Sequence, residues 1–267
     1  AWREATVREL TDDRVALFAV NEMEIGPNLT VTPALRYETS SIDAELDDGS
    51  DVSYDNDALV GGISARYAFD GGFSVFASAA YTENLPILDD LESPELMELS
   101  EKARTWEAGV AYDALDVFAA GDTLAVKATA YDTFVRDVTS YSAFMGVRVD
   151  EIDLQGLELE ASYAMASGFY VDFNANLVSG EERLSDGSSG EWRNAPADTA
   201  RMTLGRRFGE ALDLSWEVAA ARGETFEDER TPGYAVHNLR ATWAPQEGWL
   251  EGAELRLGIE NAGAREY

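Results

Sequence analysis

Carboxylates are the residues in this sequence best equipped for chemistry. Glu158 and Glu160 stand two apart, a spacing that puts both on one face of a strand. Paired carboxylates of this kind are what glycoside hydrolysis needs, provided that one is held protonated in a cleft. Nothing around either residue marks such a cleft, and charge on the polar face of a strand explains them more simply. A second group, Asp43, Glu45, Asp47, Asp48, Asp51, Asp55 and Asp57, offers oxygen ligands of the type calcium takes. Its Asp-Asp-Gly-Ser-Asp core lacks the later bidentate glutamate in register, so it reads as a solvated loop, as do Glu92, Glu95, Glu98 and Glu101. His237 is the one histidine and cysteine is absent, which leaves no material for a histidine-based metal site, a catalytic triad, a thiolate site or a disulfide framework. No metal site is expected. The sequence has no phosphate loop, nucleophile elbow or dinucleotide fingerprint, so it does not read as an enzyme.

The elements that carry these residues follow from patterning. In 267 residues, Lys and Arg total 20 against 51 Asp and Glu, a formal charge of -31, and such a surface repels nucleic acid. No stretch approaches the roughly 20 consecutive apolar residues of a spanning helix. The opening Ala1-Trp2-Arg3-Glu4 has neither a basic start nor an apolar run, so no signal peptide is expected there. The dominant signal is strict alternation in segments of about ten residues. Phe73, Val75, Ala77, Ala79 and Tyr81 interleave with Ser74, Ser78 and Thr82; Leu157, Leu159, Ala161, Tyr163 and Met165 with Glu158, Glu160 and Ser162. The same pattern marks segments beginning near Val15, Asn28, Ala58, Arg104, Thr123, Phe169, Thr199, Leu212, Gly233 and Ala253, about twelve strands in all.

The connections alternate in length. Tight ones fall at Gly26-Pro27, 70–72, 116–122, Ser167-Gly168, Gly209-Glu210 and 246–252; long polar ones run through 44–57, 85–103, 137–149, 181–197 and 223–232. That arrangement puts all tight turns on one rim and all long loops on the other, as outer-membrane barrels do and soluble sandwiches do not. Aromatic residues flank the tight turns: Tyr67, Phe69 and Phe73, Tyr163 and Phe169, Trp243 and Trp249, as in an interfacial girdle. Arg66, Lys127, Glu158, Glu160, Arg201 and Arg207 fall on the polar parity, where a barrel lumen tolerates charge. The expected fold is all-β, an antiparallel up-and-down transmembrane β-barrel represented in part. A passive porin-like barrel and a secreted β-sandwich binding protein are the alternatives.

Tyr81-Thr82-Glu83-Asn84-Leu85-Pro86 followed by Leu88-Asp89-Asp90-Leu91, the strand from Glu101 to Val110 with its Thr105-Trp106-Glu107-Ala108-Gly109, Leu154-Gln155-Gly156-Leu157-Glu158-Leu159-Glu160, Asn194-Ala195-Pro196-Ala197-Asp198, and Leu257-Gly258-Ile259-Glu260-Asn261 with Arg265-Glu266-Tyr267 form a set of motifs. Together these segments resemble TonB-dependent outer-membrane receptors of the haem and siderophore type. They occur in the family's order from about Val15 onward. Ala262-Gly263-Ala264 departs from the family's pattern. The resemblance implies a large barrel of about 22 strands with a plugged lumen, of which residues 1–267 form a C-terminal segment without the plug domain or the final closing strand. It further implies active uptake of an iron chelate, either a ferric siderophore or haem, with no covalently bound cofactor. The implied partners are outer-membrane lipid, the chelate and the TonB energy-coupling complex acting through the plug, in a Gram-negative outer membrane. From the loop motif it makes Tyr81, Glu83, Leu85, Pro86 and Leu91 candidates for ligand contact. His237, on the parity of Leu239 and Trp243, is expected to face lipid near the interface or to pack within the wall rather than to bind haem. Such a segment would expose two unpaired edges, which lipid does not tolerate, so it must pair with further wall, reclose or aggregate.

Overall fold

The structure, a computed structural model, describes residues 7–46, 49–86, 97, 99–139, 148–226 and 229–265. Every regular element among them is a strand: β1 (Val7–Val20), β2 (Met23–Ile25), β3 (Leu29–Leu46), β4 (Asp51–Ala68), β5 (Phe73–Asn84), β6 (Glu101–Leu115), β7 (Thr123–Arg136) and β8 (Val149–Ala164). There follow β9 (Phe169–Leu184), β10 (Ser189–Glu191), β11 (Thr199–Phe208), β12 (Leu212–Ala221), β13 (Glu224–Phe226), β14 (Glu229–Thr231), β15 (Tyr234–Trp243) and β16 (Leu255–Ile259). Twelve of these pair in the order β1-β3-β4-β5-β6-β7-β8-β9-β11-β12-β15-β16, with β10 added to β9 and β2 to β3, while β13 and β14 form a separate hairpin. Sequence neighbours are spatial neighbours throughout, all antiparallel. The sheet is an up-and-down meander whose edges are β1 and β16.

The strands are longer than the alternation of apolar residues alone predicts. β3 and β4 each run 18 residues, so residues 44–46 and 51–57 of the long loop expected over 44–57 lie in strands. In the added residues the outward face turns polar, with Asp43, Glu45, Asp51, Asp55 and Asp57, while Ile42, Ala44 and Ala58 are buried on the opposite face. The outward apolar pattern stops where the apolar surroundings stop, but backbone pairing continues into water, because the ladder satisfies its own donors and acceptors there too. The other connections keep the expected alternation of tight and long except the one expected at 246–252, which opens to residues 244–254.

Register assigns every side chain to a face. One rung reads Val31, Ala65, Ala77, Ala108, Ala130, Leu157, Leu177 across seven strands, and the next reads Thr30, Arg66, Phe76, Gly109, Thr129, Glu158, Asn176. The apolar set therefore shares one face of the whole sheet. It is not buried: Leu35, Ile63, Trp106 and Leu257 are 55, 51, 61 and 62 % exposed. A sandwich would hide this face in a core, whereas a membrane barrel presents it to lipid.

The border of the apolar face also records strand tilt. Toward the long-loop rim, the apolar run on this face is first broken by charge after Leu59 on β4, Tyr81 on β5, Trp106 on β6 and Ala130 on β7, where Phe134 returns beyond Asp132. Tyr81 lies opposite Gly61, Trp106 opposite Ala79, and Ala130 opposite Ala108. At each step the border slips two residues, which is what a level membrane boundary demands of strands inclined to it. Asp57, Glu83, Arg104 and Asp132 stand just beyond that border. Within the band Arg206 is an exception, near the short-turn rim. Its guanidinium lies over the rings of Phe169 and Phe208, 4.4 and 4.5 Å from their centroids, so it is stabilised against aromatic faces and can reach the interface.

Aromatic rings cluster at the short turns as the sequence suggests. Tyr67 packs edge-on against Phe69 at 4.7 Å, Phe69 approaches Phe73 at 5.5 Å, and Phe118 meets Tyr163 at 5.6 Å. The 116–122 turn is built around Asp122, which is 1 % exposed. Its carboxylate accepts hydrogen bonds from the amides of Val117 (2.7 Å), Phe118 (3.0 Å) and Ala119 (2.9 Å) and from the Tyr163 hydroxyl (2.8 Å). Burial disfavours the charged form, but the Tyr163 and backbone hydrogen bonds outweigh it and hold the carboxyl below its ordinary value. A depressed native value contributes stability above the unfolded carboxylate range that is lost as pH falls through the folded value. Asp122→Asn should therefore be less stable than the parent at neutral pH, with the difference closing below about pH 4. Urea unfolding in lipid vesicles at a series of pH values measures it; a gap that stays constant down to acid pH would refute the account.

Candidate functional site

The polar face of the sheet, together with the long loops folded over it, collects the residues able to meet a solute. All six cations and carboxylates assigned to that parity from sequence lie on it. Arg66 donates to Ser74 Oγ at 3.2 Å, Lys127 pairs with Glu160 at 3.0 Å and Arg207 with Asp213 at 3.5 Å. Arg201 approaches Glu217 at 4.0 Å, and Glu158 sits opposite Thr129. Lys127 neutralises Glu160 in an open position, so Glu158 and Glu160 do not form the enclosed acid–base couple that hydrolysis needs.

The most deeply buried charged side chain of the strands on this face is one that alternation alone does not single out. Glu217, 6 % exposed, accepts from Asn238 Nδ2 at 2.8 Å and from Arg240 Nη1 and Nη2 at 3.1 and 3.3 Å. Asn238 in turn accepts from the Asn261 amide at 2.9 Å. Asn261, at φ 48°, bonds through its side chain to Arg265 N and O at 2.9 and 2.7 Å. The conspicuous asparagine of the C-terminal motif thus turns the chain after β16 and ties that turn to β15. The parity of Glu217, Asn238 and Arg240 is legible in the sequence; their mutual pairing requires the register.

Large rings do not project freely from this face. Phe76 lies opposite Gly109, Tyr131 opposite Gly156, and Tyr170 opposite Gly205. A Cβ on Gly109 would come within 2.3 Å of the Phe76 ring, and one on Gly205 within 2.0 Å of the Tyr170 ring. Each ring therefore lies flat across the neighbouring strand in space that only glycine leaves. Tyr170 completes this arrangement by donating to Asp213 Oδ1 at 3.0 Å.

Toward the long-loop rim, two loops fold onto the same face. The Pro86 carbonyl accepts from Arg14 Nη2 at 2.8 Å and the Met97 carbonyl from Asn56 at 3.1 Å, while Leu85, Met97, Ile42 and Ala58 are buried. Farther along, Trp192 joins Val138, Val149 and Ile152 in an apolar cluster flanked by Val135, Leu154, Leu184 and Ala195, and its amide donates to the Gly180 carbonyl at 2.9 Å.

The five loop candidates consequently separate. Leu85 and Pro86 are buried within the folded-in loop, and Leu91 lies outside the described residues. Tyr81 and Glu83 belong to β5 on the parity of the apolar face, at and just beyond its border, with Glu83 paired to Lys102 at 3.7 Å. His237 also lies on the apolar parity, stacked on Trp216 at 5.7 Å and accepting at Nδ1 from its indole N–H at 3.3 Å. Asp47, Asp48, Glu92, Glu95 and Glu98 fall outside the described residues. Among the described ones no group of three or more His, Asp or Glu is arranged to hold a metal ion.

An apolar outer face, a polar inner face, tight turns on one rim and long loops on the other define the wall of an outer-membrane type of β-barrel. A family model described as TonB dependent receptor-like, beta-barrel, matches residues 4–262; the chain belongs to the TonB-dependent receptor barrel family. No curated protein matches it. Among solved structures, the chain superposes with TM-score 0.79 and 16 % identity on the ferric citrate transporter FecA in its unliganded form, over 97 % of this chain and 41 % of that one. The copper transporter OprC gives 0.77 at 13 % identity, covering 98 % of this chain and 43 % of that one. The Serratia marcescens hemophore receptor HasR, a double mutant in complex with its hemophore HasA and heme, gives 0.70 at 18 %, covering 94 % and 48 %. The chain spans less than half the length of each.

Two substitutions test the polar face. Gly205→Ala displaces the Tyr170 ring and should destabilise the lipid-embedded protein by about 1–3 kcal/mol, the usual range for overpacking. Much of the loss should be recovered in the Gly205→Ala, Tyr170→Ala double mutant, and strictly additive effects in that cycle would refute the pairing. Glu217→Ala leaves Arg240 and Asn238 without their acceptor and should cost about 1.5–3 kcal/mol; an unchanged unfolding midpoint would show that the cluster does not brace β12 against β15.

Proposed function

We propose that this chain is a stretch of barrel wall from an outer-membrane receptor that takes up an iron chelate, a ferric siderophore or haem, under TonB-coupled energy. The observation that carries the reading is the inverted wall. Its apolar face matches lipid, and its opposite face is polar and kept flat by ring-on-glycine packing, with loops folded onto it near one rim. Flat walls leave room for a folded plug domain in the lumen, and the loops offer a mouth at which a ligand is first met. On this reading Arg66, Lys127, Glu158, Glu160, Arg201 and Arg207 face the lumen, while Leu85 and Pro86 shape the mouth. The partners are outer-membrane lipid, the TonB complex acting through the plug, and the chelate; nucleic acid is excluded by charge. Chemistry on the ligand is not part of the task.

Deleting the gene in its Gram-negative host and supplying iron as ferric siderophores or haem under iron limitation tests the proposal. Growth should fail on one chelate class, return on complementation, and fail equally when the energy-coupling complex is inactivated. Growth unchanged on every chelate, with uptake of another solute lost instead, would overturn the iron reading while leaving the wall intact.

A further inference from the structure

The lipid-facing side of the sheet is not evenly studded. Across β4, β5, β6 and β7 its residues are small: Ala65, Ala77, Ala79, Ala108 and Ala130. Around them stand Ile63, Tyr67, Trp106 and Val110, each more than 40 % exposed. The result is a furrow of two confluent hollows of about 580 and 590 Å³, which share Ala65, Ala77 and Ala108. Asp132 lines its upper end, and just beyond, on the same strand as Trp106 and opposite Phe134, stands Arg104. Most of the positions that follow the apolar border on this face carry carboxylates: Asp57, Glu83 and Asp132 at the adjacent strands, and Asp13 on β1. The neighbouring cations are already engaged, Lys102 with Glu83 and Asp137 at 3.7 and 3.4 Å and Arg136 with Asp137 at 4.0 Å. Arg104 is exposed and has no carboxylate partner among the described residues.

We infer that this furrow is a binding site for a phosphorylated lipid of the outer leaflet, with one acyl chain along the alanines and a headgroup phosphate on Arg104. The position sets the occupant: the furrow crosses the membrane-facing band, so what fills it is hydrocarbon. Arg104 lies on the long-loop side of the border, at headgroup depth in the outer leaflet. A guanidinium without a carboxylate partner at that depth suits phosphate, which it can bind through two parallel N–H donors. Asp132, which lies opposite Trp106, repels the same anion and favours its approach from the β5–β6 side. The site rests on the membrane reading of the apolar face and is independent of which chelate the receptor carries.

The test uses the intact receptor containing this wall, delipidated in mild detergent and titrated with diphosphoryl lipid A, with bound lipid counted by native mass spectrometry. One copy should bind saturably. Arg104→Gln should weaken it about ten-fold, the scale of one charged hydrogen bond, and Arg104→Lys should retain most of it. Ala77→Phe, which fills the furrow, should weaken diphosphoryl lipid A and a neutral diacyl lipid alike, whereas Asp132→Asn should strengthen the phosphorylated lipid alone. Heat-dependent gel mobility confirms that each variant is folded. Non-saturable binding that is equal in all variants, or an Arg104→Gln protein indistinguishable from the parent, would overturn the inference. Because lipid is counted without any uptake assay, failure here is distinct from failure of the transport reading.

Discussion

Everything in this wall follows from the absence of water in the hydrocarbon layer. A backbone N–H or C=O left without a partner there costs several kcal/mol (about 4–8 on a hydrocarbon transfer scale), so each strand must be paired on both sides. The continuous meander from β1 to β16 meets that demand for every strand except its two edges. Pairing in turn fixes parity, and parity fixes which residues touch lipid. A one-residue slip anywhere would exchange the rung of alanines and leucines for the rung carrying Arg66 and Glu158. Register is therefore much more strongly constrained here than in a sheet with water on both sides.

The same constraint shapes the polar face indirectly. Since the apolar side chains point outward, the inner face cannot be stabilised by a conventional core. It is held instead by cross-strand hydrogen bonds and ion pairs, among them Lys127–Glu160 and the Glu217–Arg240–Asn238 cluster, and by rings laid over glycines. Such a surface is rigid without being filled. Apolar burial reappears only near the long-loop rim, where Trp192 and Met97 bring loop residues back against the wall. Those small clusters anchor the loops while leaving the middle of the face open.

Charge follows depth as well as parity. On the outward face it begins where the apolar border ends, and that border descends strand by strand with the tilt. Arg206 is tolerated below it because two aromatic rings shield its guanidinium. Arg104 stands above it and opens onto the furrow that the small residues of β4 to β7 create. A uniform covering of leucine would have made the same barrel without any such relief.

The sequence by itself determined the class of fold. A period of two written into some twelve segments, with tight and long connections in turn, leaves few arrangements other than an up-and-down barrel wall, and the parity of Arg66, Glu158, Arg201 and His237 could be read directly. Alternation is local, so it survives in the bare sequence. Strand length was less legible, because beyond the membrane border the apolar positions of β3 and β4 pass to the other face, where Ile42, Ala44 and Ala58 are buried, while Asp43, Glu45, Asp55 and Asp57 take the outward parity and pairing goes on. The partners of each group were decided only by tertiary structure. Which glycine faces Tyr170, which carboxylate takes Arg240, and why Arg104 is left without one depend on register and tilt across strands far apart in sequence. The division of the loop candidates had the same origin: Tyr81 and Glu83 stay in the strand, whereas Leu85 and Pro86 turn inward. The loop motif gives their order along the chain but not where β5 ends.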